Sequence, residues 1–355
     1  MIYIDGEAFV SAAAYFAAHP PKPKGPPAEE PDPIETVPGP GLDDVNGNAG
    51  AVLQIRTALA AWRARKAEAE KGKAPAFPHA LLSGPGGTGK TMLAEIIARE
   101  LGAKLHLQMG QTLSTPAKVC EVLVSLKRGD VLFIDEIHGL KPACQEALYR
   151  AMEDRLIVPA TRAGKPVAKP VRLHPFTLIG ATTDEWGLLP SLCQRFKYRV
   201  RLKRLSPDEL LEAIGGRAQR MGLTIAPDAL GLIAHRAMGT PRLAVGLLDG
   251  CIDTAKARGD NVITAALVTE TCEIWGIDSL GLDEVTRDYL RVLADHGVDP
   301  VRLNVLASKL DGLSKTTVER KIEPDLVWLG LIEKNADGRR LMAAGREHLQ
   351  QRSKP

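Results

Sequence analysis

The sequence contains no apolar run that approaches the roughly 18 residues needed to cross a bilayer, which excludes a membrane-spanning helix. Residues 1–19 also lack the basic start of a secretory signal and carry Asp5 and Glu7 instead. We therefore expect a cytoplasmic protein with no membrane partner.

Cysteines are scattered, with no CxxC pair and no histidine at the spacing of metal ligands. The five positions are Cys120, Cys144, Cys193, Cys251 and Cys272. This pattern favours ordinary reduced thiols in a protein core over a metal site or a disulfide framework. No internal repeat at a fixed period is visible either.

Neither sign of charge dominates, since 46 basic residues face 43 acidic ones and the net charge is +3. The distribution is less even, because residues 1–41 carry two lysines against six carboxylates. The remainder of the chain is therefore mildly basic, which is compatible with nucleic acid as a partner but does not prove it.

The first 41 residues form an acidic, proline-rich extension. Residues 20–40 are dense in proline and charge, which predicts a stiff, extended linker. Residues 7–17 are alanine-rich and amphipathic, which predicts a short helix. That helix is either a frayed terminus or a docking peptide for a partner.

Beyond the extension, 355 residues with an apolar fraction of 45% allow two or three domains. Strand and helix patterns alternate up to about residue 205, which predicts a parallel sheet covered on both faces. The predicted strands are 79–83, 104–108, 131–134, 176–180 and 198–202, and the predicted helices are 91–101, 116–126 and 142–154.

After residue 206 the strand patterns stop. Ser206-Pro207-Asp208-Glu209 is typical of a helix start, and three or four helices follow to about residue 275. Three further helices are predicted over 283–329. Two short strands, 331–334 and 339–342, then flank Asn335-Ala336-Asp337-Gly338, which predicts a hairpin or wing.

A phosphate-binding loop lies between the first strand and the first helix of the predicted sheet. Its sequence, Gly84-Pro85-Gly86-Gly87-Thr88-Gly89-Lys90-Thr91, matches GxxxxGK[ST] in the context that this motif requires. Glycines let backbone N–H groups converge on phosphates, and the helix N-terminus adds positive potential. We expect Lys90 to reach the β- and γ-phosphates of ATP and Thr91 to be a ligand of Mg²⁺.

Further candidates for phosphoryl transfer lie at later strand ends. Asp135 and Glu136 end an apolar strand, where Asp135 would hold Mg²⁺ through water and Glu136 would deprotonate the attacking water. Thr182 and Thr183 end another strand and are placed to contact the γ-phosphate or the water. Arg195 precedes the last strand, where an oligomer could present it to a neighbour's nucleotide. On pattern alone, either the threonines or the arginine could be ordinary surface residues.

Taken together, these residues resemble the AAA+ superfamily and, within it, the RuvB family. The similarity runs from about residue 42 to residue 349 in the family's own order. The matching text is Phe133-Ile134-Asp135-Glu136-Ile137-His138, Glu146-Ala147-Leu148-Tyr149, Ala151-Met152-Glu153-Asp154, Pro175-Phe176-Thr177-Leu178-Ile179-Gly180-Ala181-Thr182-Thr183, Arg195-Phe196, Gly239-Thr240-Pro241-Arg242, Ile322-Glu323-Pro324 and Leu329-Gly330-Leu331-Ile332.

The extension (1–41) is extra to the family; beyond it, the resemblance implies an AAA+ ATPase domain (42–205), a helical lid (206–278) and a DNA-binding winged helix (279–352). It also implies a hexameric ring around duplex DNA that drives branch migration of Holliday junctions beside a junction-binding partner. By position, Thr183 resembles the sensor-1 residue, Arg195 the arginine finger acting in trans, and Arg242, after Pro241, the sensor-2 arginine.

Two segments suggest where partners bind. Residues 155–172 stand where the family has its partner-binding hairpin, and here they carry Arg162, Lys165, Lys169 and Arg172, which suit phosphate or an acidic partner. In the wing, Arg339 and Arg340 follow Asp337 and are candidates for contacts to the DNA backbone.

ATP-driven movement along branched or duplex DNA is the leading hypothesis. One alternative is a AAA+ switch that remodels a protein partner, with the winged helix as a docking module. Another is a DNA-bound assembly factor that cycles ATP without translocating.

Overall fold

The structure, a computed structural model, describes residues 2–4, 7–9, 40–70, 74–157, 170–310 and 312–351. Residues 1–39 and 40–355 form two separate compact units. Within the described ranges, no helix is both long enough and apolar enough to span a bilayer.

The start of the chain corrects one prediction. Ile2–Ile4 (β1) and Glu7–Phe9 (β2) pair as antiparallel strands, with Ile4 opposite Glu7. The helix expected over residues 7–17 is therefore wrong at its beginning, and residues 10–17 lie outside the described residues, as do 20–39. The overlooked signal is Asp5-Gly6, a dipeptide typical of two-residue hairpin turns, between short apolar segments.

A five-stranded parallel sheet forms the centre of the larger unit, as predicted. Its strands lie in the spatial order β4-β5-β8-β3-β9. In chain order they are Ala80–Ser83 (β3), Leu105–Met109 (β4), Val131–Asp135 (β5), Thr177–Thr182 (β8) and Tyr198–Arg201 (β9). Every residue of β3 and β8 is buried, which explains why the residues between the strand ends are apolar or glycine.

Helices cover both faces of the sheet. One face packs against Pro116–Ser125 and Pro142–Asp154, and the other against Ala49–Glu68 and Lys90–Leu101. The helix Ala49–Glu68 was not among the predicted elements. It is rich in alanine and arginine and buries a narrow stripe at helical spacing, formed by Ala51, Ile55, Ala58, Leu59 and Trp62.

A short hairpin and a short helix complete this domain. Leu156–Ile157 (β6) pairs with Val171–Arg172 (β7) in antiparallel fashion, at the base of the predicted hairpin. Arg162, Lys165 and Lys169 lie outside the described residues. The helix Pro190–Cys193 then precedes β9.

The lid contains four helices with a core of their own: Pro207–Arg220, Pro227–Arg236, Pro241–Arg258 and Ala265–Ile274. The predicted helix start at Ser206 is confirmed, because its hydroxyl accepts a hydrogen bond from Glu209 N and its N–H donates to the Glu209 carboxylate. Strands do not stop altogether, since Thr224–Ile225 (β10) and Val262–Ile263 (β11) pair in parallel. Two residues are too few to show a strand period.

The last domain begins with the helices Glu284–Asp295 and Leu303–Lys309. A continuous helical segment follows, made of Lys315–Thr317, a π-helical stretch Val318–Ile322, and Glu323–Trp328. Pro324 lacks the N–H that an α-helix needs, so the irregular turn lies just before it. The wing pairs Ile332–Lys334 (β12) with Arg339–Leu341 (β13), and the helix Ala343–Gln351 ends the domain.

The wing corrects the prediction for Arg339. This residue is only 8% exposed, and its Nε and an Nη donate to the two oxygens of Glu323 at 2.7 and 3.1 Å. Glu323 is itself 2% exposed and accepts a hydrogen bond from the Tyr289 hydroxyl at 3.3 Å. A guanidinium held in this way is not available to DNA, because moving it away would leave the buried Glu323 carboxylate without its partner. Arg340, in contrast, is exposed.

Arg339→Ala is predicted to destabilise the folded chain. Breaking a buried ion pair costs about 3–5 kcal/mol, because one charge stays buried without its partner. Lys334 Nζ remains 3.2 Å from Glu323, so we expect the lower end of this range. Calorimetry of the full chain measures the loss, and Arg340→Ala is the matched control, expected within about 0.5 kcal/mol of the parent. Equal effects of the two substitutions would contradict the structural role.

Candidate nucleotide-binding and hydrolysis site

The parallel sheet brings three strand ends to one edge. Ser83 pairs with Thr182 across β3 and β8, and Asp135 ends the neighbouring strand β5. The phosphate loop, the acid pair and the two threonines follow directly after these strands. They are therefore neighbours in space although about a hundred residues of sequence separate the first from the last.

The phosphate loop depends on glycine at particular positions. Gly84, Gly87 and Gly89 have φ angles of +142°, +75° and +94°, which side chains rarely adopt. A Cβ on Gly84 would lie 2.2 Å from the carbonyl oxygen of Leu202. The Thr88 hydroxyl closes the loop by donating to Pro85 O at 2.8 Å. The glycines therefore satisfy the backbone geometry itself, in addition to leaving room for phosphate.

Lys90 is 6% exposed and lies inside the loop. Its Nζ donates to the carbonyl oxygens of Gly84 and Pro85, each at 2.9 Å. Burial lowers the pKa of Lys90, with opposing contributions from Glu136 and Asp135, whose charges favour the cation. The carboxylates at the end of β5 thus help to keep an ammonium group in this cradle.

Asp135 and Glu136 lie at the end of β5. One oxygen of Asp135 accepts a hydrogen bond from Glu136 N at 2.9 Å. Glu136 has a φ of +47°, an uncommon conformation for a residue other than glycine and one that is found at functional sites. This backbone turn directs the two carboxylates to different surroundings.

The Glu136 carboxylate has two side-chain neighbours. Its Oε2 lies 3.1 Å from the Thr183 hydroxyl, which donates to it, and 3.1 Å from His138 Nδ1. His138 was not among the predicted site residues, although it occurs two residues after Glu136. His138 Nδ1 also lies 3.0 Å from the Thr182 hydroxyl, so it bridges the two strand ends.

The two threonines are not equivalent. Thr183 is exposed and its hydroxyl contacts Glu136, as a residue near an attacking water should. Thr182 is fully buried, and its hydroxyl donates to Asp184 O at 2.8 Å and accepts from Asp184 N at 2.9 Å. These contacts leave Thr182 shaping the turn, which argues against the direct nucleotide contact predicted for it.

The lid reaches the phosphate loop through the start of its third helix. Arg242 N donates to Gly87 O at 3.2 Å, one residue after Pro241 begins the helix. A Cβ on Gly87 would lie 2.6 Å from Thr240 Cγ2 and 3.0 Å from Arg242 Cβ. Pro241 and Arg242 are thus beside the cradle.

Arg195 is held elsewhere. Its guanidinium forms an ion pair with Glu153, donates to the Tyr149 hydroxyl at 3.2 Å and lies 5.0 Å from the centre of that ring. The hydrogen bond to the Tyr149 hydroxyl and the charge of Glu153 raise the pKa of Arg195 further above its usual range. Among the described residues, its hydrogen bonds and ion pair do not reach the phosphate loop or the acid pair of its own chain.

Three family models match consecutive parts of the chain. The Holliday junction DNA helicase RuvB P-loop domain matches residues 50–202, the RuvB AAA lid domain matches 205–278 and the RuvB C-terminal winged helix domain matches 279–350. The chain belongs to the RuvB family. The α/β core, the helical lid and the winged helix are confirmed by this match, and the RuvB P-loop domain makes the chain an ATPase.

Individual RuvB proteins resemble the chain over most of its length. The Holliday junction branch migration complex subunits RuvB of Paracoccus denitrificans (strain Pd 1222) and Nocardioides sp. (strain ATCC BAA-499 / JS614) are each 39% identical over 311 residues. The match covers 87% of this chain and 88% and 84% of those proteins. The solved structure of the Thermotoga maritima RuvB Holliday junction branch migration motor has a TM-score of 0.75 at 35% identity, covering 88% of this chain and 98% of that chain.

The oxygen groups near the loop fit a magnesium ion. The Thr91 hydroxyl is half-buried and has no hydrogen-bond partner within the described ranges, and the Asp135 carboxylate ends β5 at the same edge of the sheet. Mg²⁺ prefers oxygen ligands and usually takes only one or two from protein, the rest coming from phosphates and water.

Gly87→Ala is predicted to destabilise the nucleotide-free protein by about 1–3 kcal/mol, because a side chain there would be strained at positive φ and would collide with the lid. Gly86→Ala is the matched control, since a Cβ at Gly86 has no atom within 4 Å. Thermal unfolding without nucleotide compares the two. If Gly87→Ala unfolds at the same temperature as Gly86→Ala, the lid does not pack on the loop as described.

Proposed function

We propose that this chain is the ATP-driven motor subunit of a cytoplasmic ring that moves four-way (Holliday) junction DNA. One observation carries the proposal. A complete phosphate loop and acid pair are joined to a lid that contacts the loop directly and to a winged helix, in the order found in relatives named branch migration subunits.

ATP would bind with its phosphates in the loop from Gly84 to Thr91. Lys90, which now donates to two loop carbonyls, would turn its ammonium group to the β- and γ-phosphates. Arg242, beside Gly87, would add positive charge from the lid. Binding of nucleotide would therefore change contacts on both sides of the cleft between the ATPase domain and the lid.

Hydrolysis would depend on Glu136 as general base. Its carboxylate, held by the Thr183 hydroxyl and by His138, would orient a water and accept its proton as the water attacks the γ-phosphate. Thr91 and Asp135 would hold Mg²⁺, which neutralises charge that develops on the phosphates.

Arg195 would act on the neighbouring subunit's nucleotide. In its own chain the guanidinium is 36% exposed and is held by Glu153 and Tyr149, away from the phosphate loop. A rotationally symmetric ring, expected to be a hexamer, would present it to the next active site, where a finger is worth about 10³–10⁵ in rate.

DNA would bind through the winged helix. Arg340 is exposed on β13, and Lys315, Arg320 and Lys321 are exposed on the helical segment before the wing. None of the four side chains forms a hydrogen bond or ion pair with another described residue. Such cations suit phosphate contacts, which give salt-dependent affinity with little sequence preference. The hairpin of residues 155–172 would bind a junction-binding protein.

A second candidate is an ATPase that remodels a protein or switches on DNA without translocating. It is favoured by the charge of the wing, where Arg339 and Lys334 are neutralised by Glu319 and Glu323. Fewer cations then remain for DNA than the sequence suggests.

The deciding experiment compares ATP hydrolysis with and without four-way junction DNA, and follows release of labelled strands from a movable junction. We expect junction DNA to stimulate hydrolysis and ATP to drive migration. Glu136→Gln should bind ATP but lose hydrolysis by about 10²–10⁴-fold, because no base takes the proton. Hydrolysis that ignores DNA, with no migration, would favour the second candidate.

Mixing subunits tests the finger. Arg195→Ala and Lys90→Ala rings should each be inactive, the first lacking the finger and the second lacking the phosphate-binding cation. Mixed rings should regain part of the activity, because an intact loop then meets an intact finger from another subunit. If mixed oligomers form, as shown by native mass spectrometry, and remain inactive, a finger acting in trans is ruled out.

A further inference from the structure

A single arginine between the ATPase sheet and the lid contacts several parts of the chain at once. Arg204 follows β9, which ends at Arg201, and precedes the first lid helix, which begins at Pro207. Its side chain is only 10% exposed. A buried guanidinium needs partners for its charge and its N–H groups, so Arg204 and the residues that bind it have to keep their contacts.

On one side, Arg204 binds the loop that leads to the nucleotide. One Nη donates to Met238 O at 2.8 Å and to the Thr240 hydroxyl at 3.2 Å. Thr240 is the residue before the helix that contains Arg242, and Arg242 N donates to Gly87 O in the phosphate loop. A short series of hydrogen bonds thus connects Arg204 to the phosphate cradle.

On the other side, Arg204 binds the winged helix. Its second Nη forms an ion pair with Asp325, and the guanidinium lies 5.2 Å from the centre of the Trp328 ring. Both residues belong to the helix Glu323–Trp328, which continues the segment that carries the exposed cations. The same guanidinium therefore reaches the domain proposed to hold DNA.

Met238 and Gly239 bring three segments together: the linker that contains Arg204, the lid loop before Pro241, and the helix Glu323–Trp328. Met238 belongs to the lid, yet its side chain is 8% exposed and packs into the core of the winged helix. Its φ of +49° is uncommon for methionine and indicates that surrounding contacts hold it. A Cβ on Gly239 would lie 2.9 Å from Arg204 Cβ and 2.9 Å from the Trp328 ring, so the segments are in direct contact.

We propose that Arg204 is a positioning residue that couples the nucleotide site to the winged helix. Nucleotide that moves Arg242 and the Thr240 loop would shift the partners of Arg204, and the ion pair to Asp325 would pass the shift to the DNA-binding domain. Arg204 itself contacts neither phosphate loop nor DNA surface. The inference rests on the proposed function, since it presumes that both ligands bind.

The effect of one ligand on the other measures this coupling, because linkage is reciprocal. The experiment compares the affinity for a four-way junction in ADP with that in a non-hydrolysable ATP analogue. We expect the parent protein to show a ratio of about 5–150-fold, the usual range for coupled sites. Arg204→Met, which keeps the aliphatic stem, and Asp325→Asn, which keeps the shape, should each bring the ratio close to one.

Each variant should still bind nucleotide without DNA, and DNA without nucleotide, within about threefold of the parent. The double variant should resemble the single ones, because both remove the same link. Arg217→Met is the matched control: its surface pair with Asp249 is half-exposed on the lid, and its loss should leave the ratio unchanged.

The outcomes separate the coupling from the proposed function. A parent protein that binds no DNA or hydrolyses no ATP refutes the proposed function. A parent that shows the ratio, with Arg204→Met and Asp325→Asn showing the same ratio, refutes the coupling. Should Arg204→Met fold poorly, Asp325→Asn alone decides: it removes the charge that pairs with Arg204, while the asparagine amide can hydrogen-bond to water because this position is 27% exposed.

Discussion

The parallel pairing of β3, β8 and β5 is the constraint on which the rest of the site depends. Each of these strands pairs with a neighbour on both sides, and most of their side chains are apolar because both faces of the sheet are covered. Polar chemistry is confined to the edge where the strands end. The register of the strands then determines which residues are neighbours. Ser83 lies beside Thr182, and Asp135 ends the adjacent strand β5, so the phosphate loop, Glu136 and Thr183 lie close together.

Sequence patterns predicted the parts of the site whose physics is local. The phosphate loop was recognisable because glycine, lysine and threonine each serve a nearby atom, and the acid pair because buried strands rarely end in carboxylates. Contacts between distant residues were not predictable. Nothing near Arg339 in sequence indicates that Glu323, 16 residues earlier, holds it, or that Tyr289 completes the cluster. His138 was not predicted as a site residue, because one of its two partners, Thr182, is 44 residues away in the sequence.

Two further mismatches have a different cause. Asp5-Gly6 indicates a hairpin turn, but the alanine-rich segment that follows favoured a helix. The two strands beside Asp5-Gly6 have only three residues each, too few to show a strand pattern. The pair of threonines at the end of β8 looked equivalent in sequence. Thr182 is the last residue of β8 and is buried beneath the turn, whereas Thr183 lies beyond the end of the strand and contacts the Glu136 carboxylate.

Three arginines illustrate how burial decides what an ion pair can do. Arg195 pairs with Glu153, Arg204 with Asp325, and Arg339 with Glu323 and, at its exposed end, with Glu319. The side chains of Arg339 and Glu323 are 10% and 2% exposed, so separating them would leave an unsolvated charge, and this pair is permanent. Arg195 and Glu153 are both more than a third exposed, where water compensates for a lost partner and such pairs contribute little. Only the Arg195 pair can therefore open at low cost to serve a neighbouring subunit.

Arg204 lies between these limits, since its own side chain is 10% exposed but Asp325 is 27% exposed. The guanidinium cannot leave the junction of the three segments, yet the carboxylate end can adjust with water as a partner. A contact with one fixed and one adjustable end transmits displacement without breaking. That property is what a motor requires between a nucleotide cleft that opens and closes and a DNA-binding domain that must remain attached through every cycle.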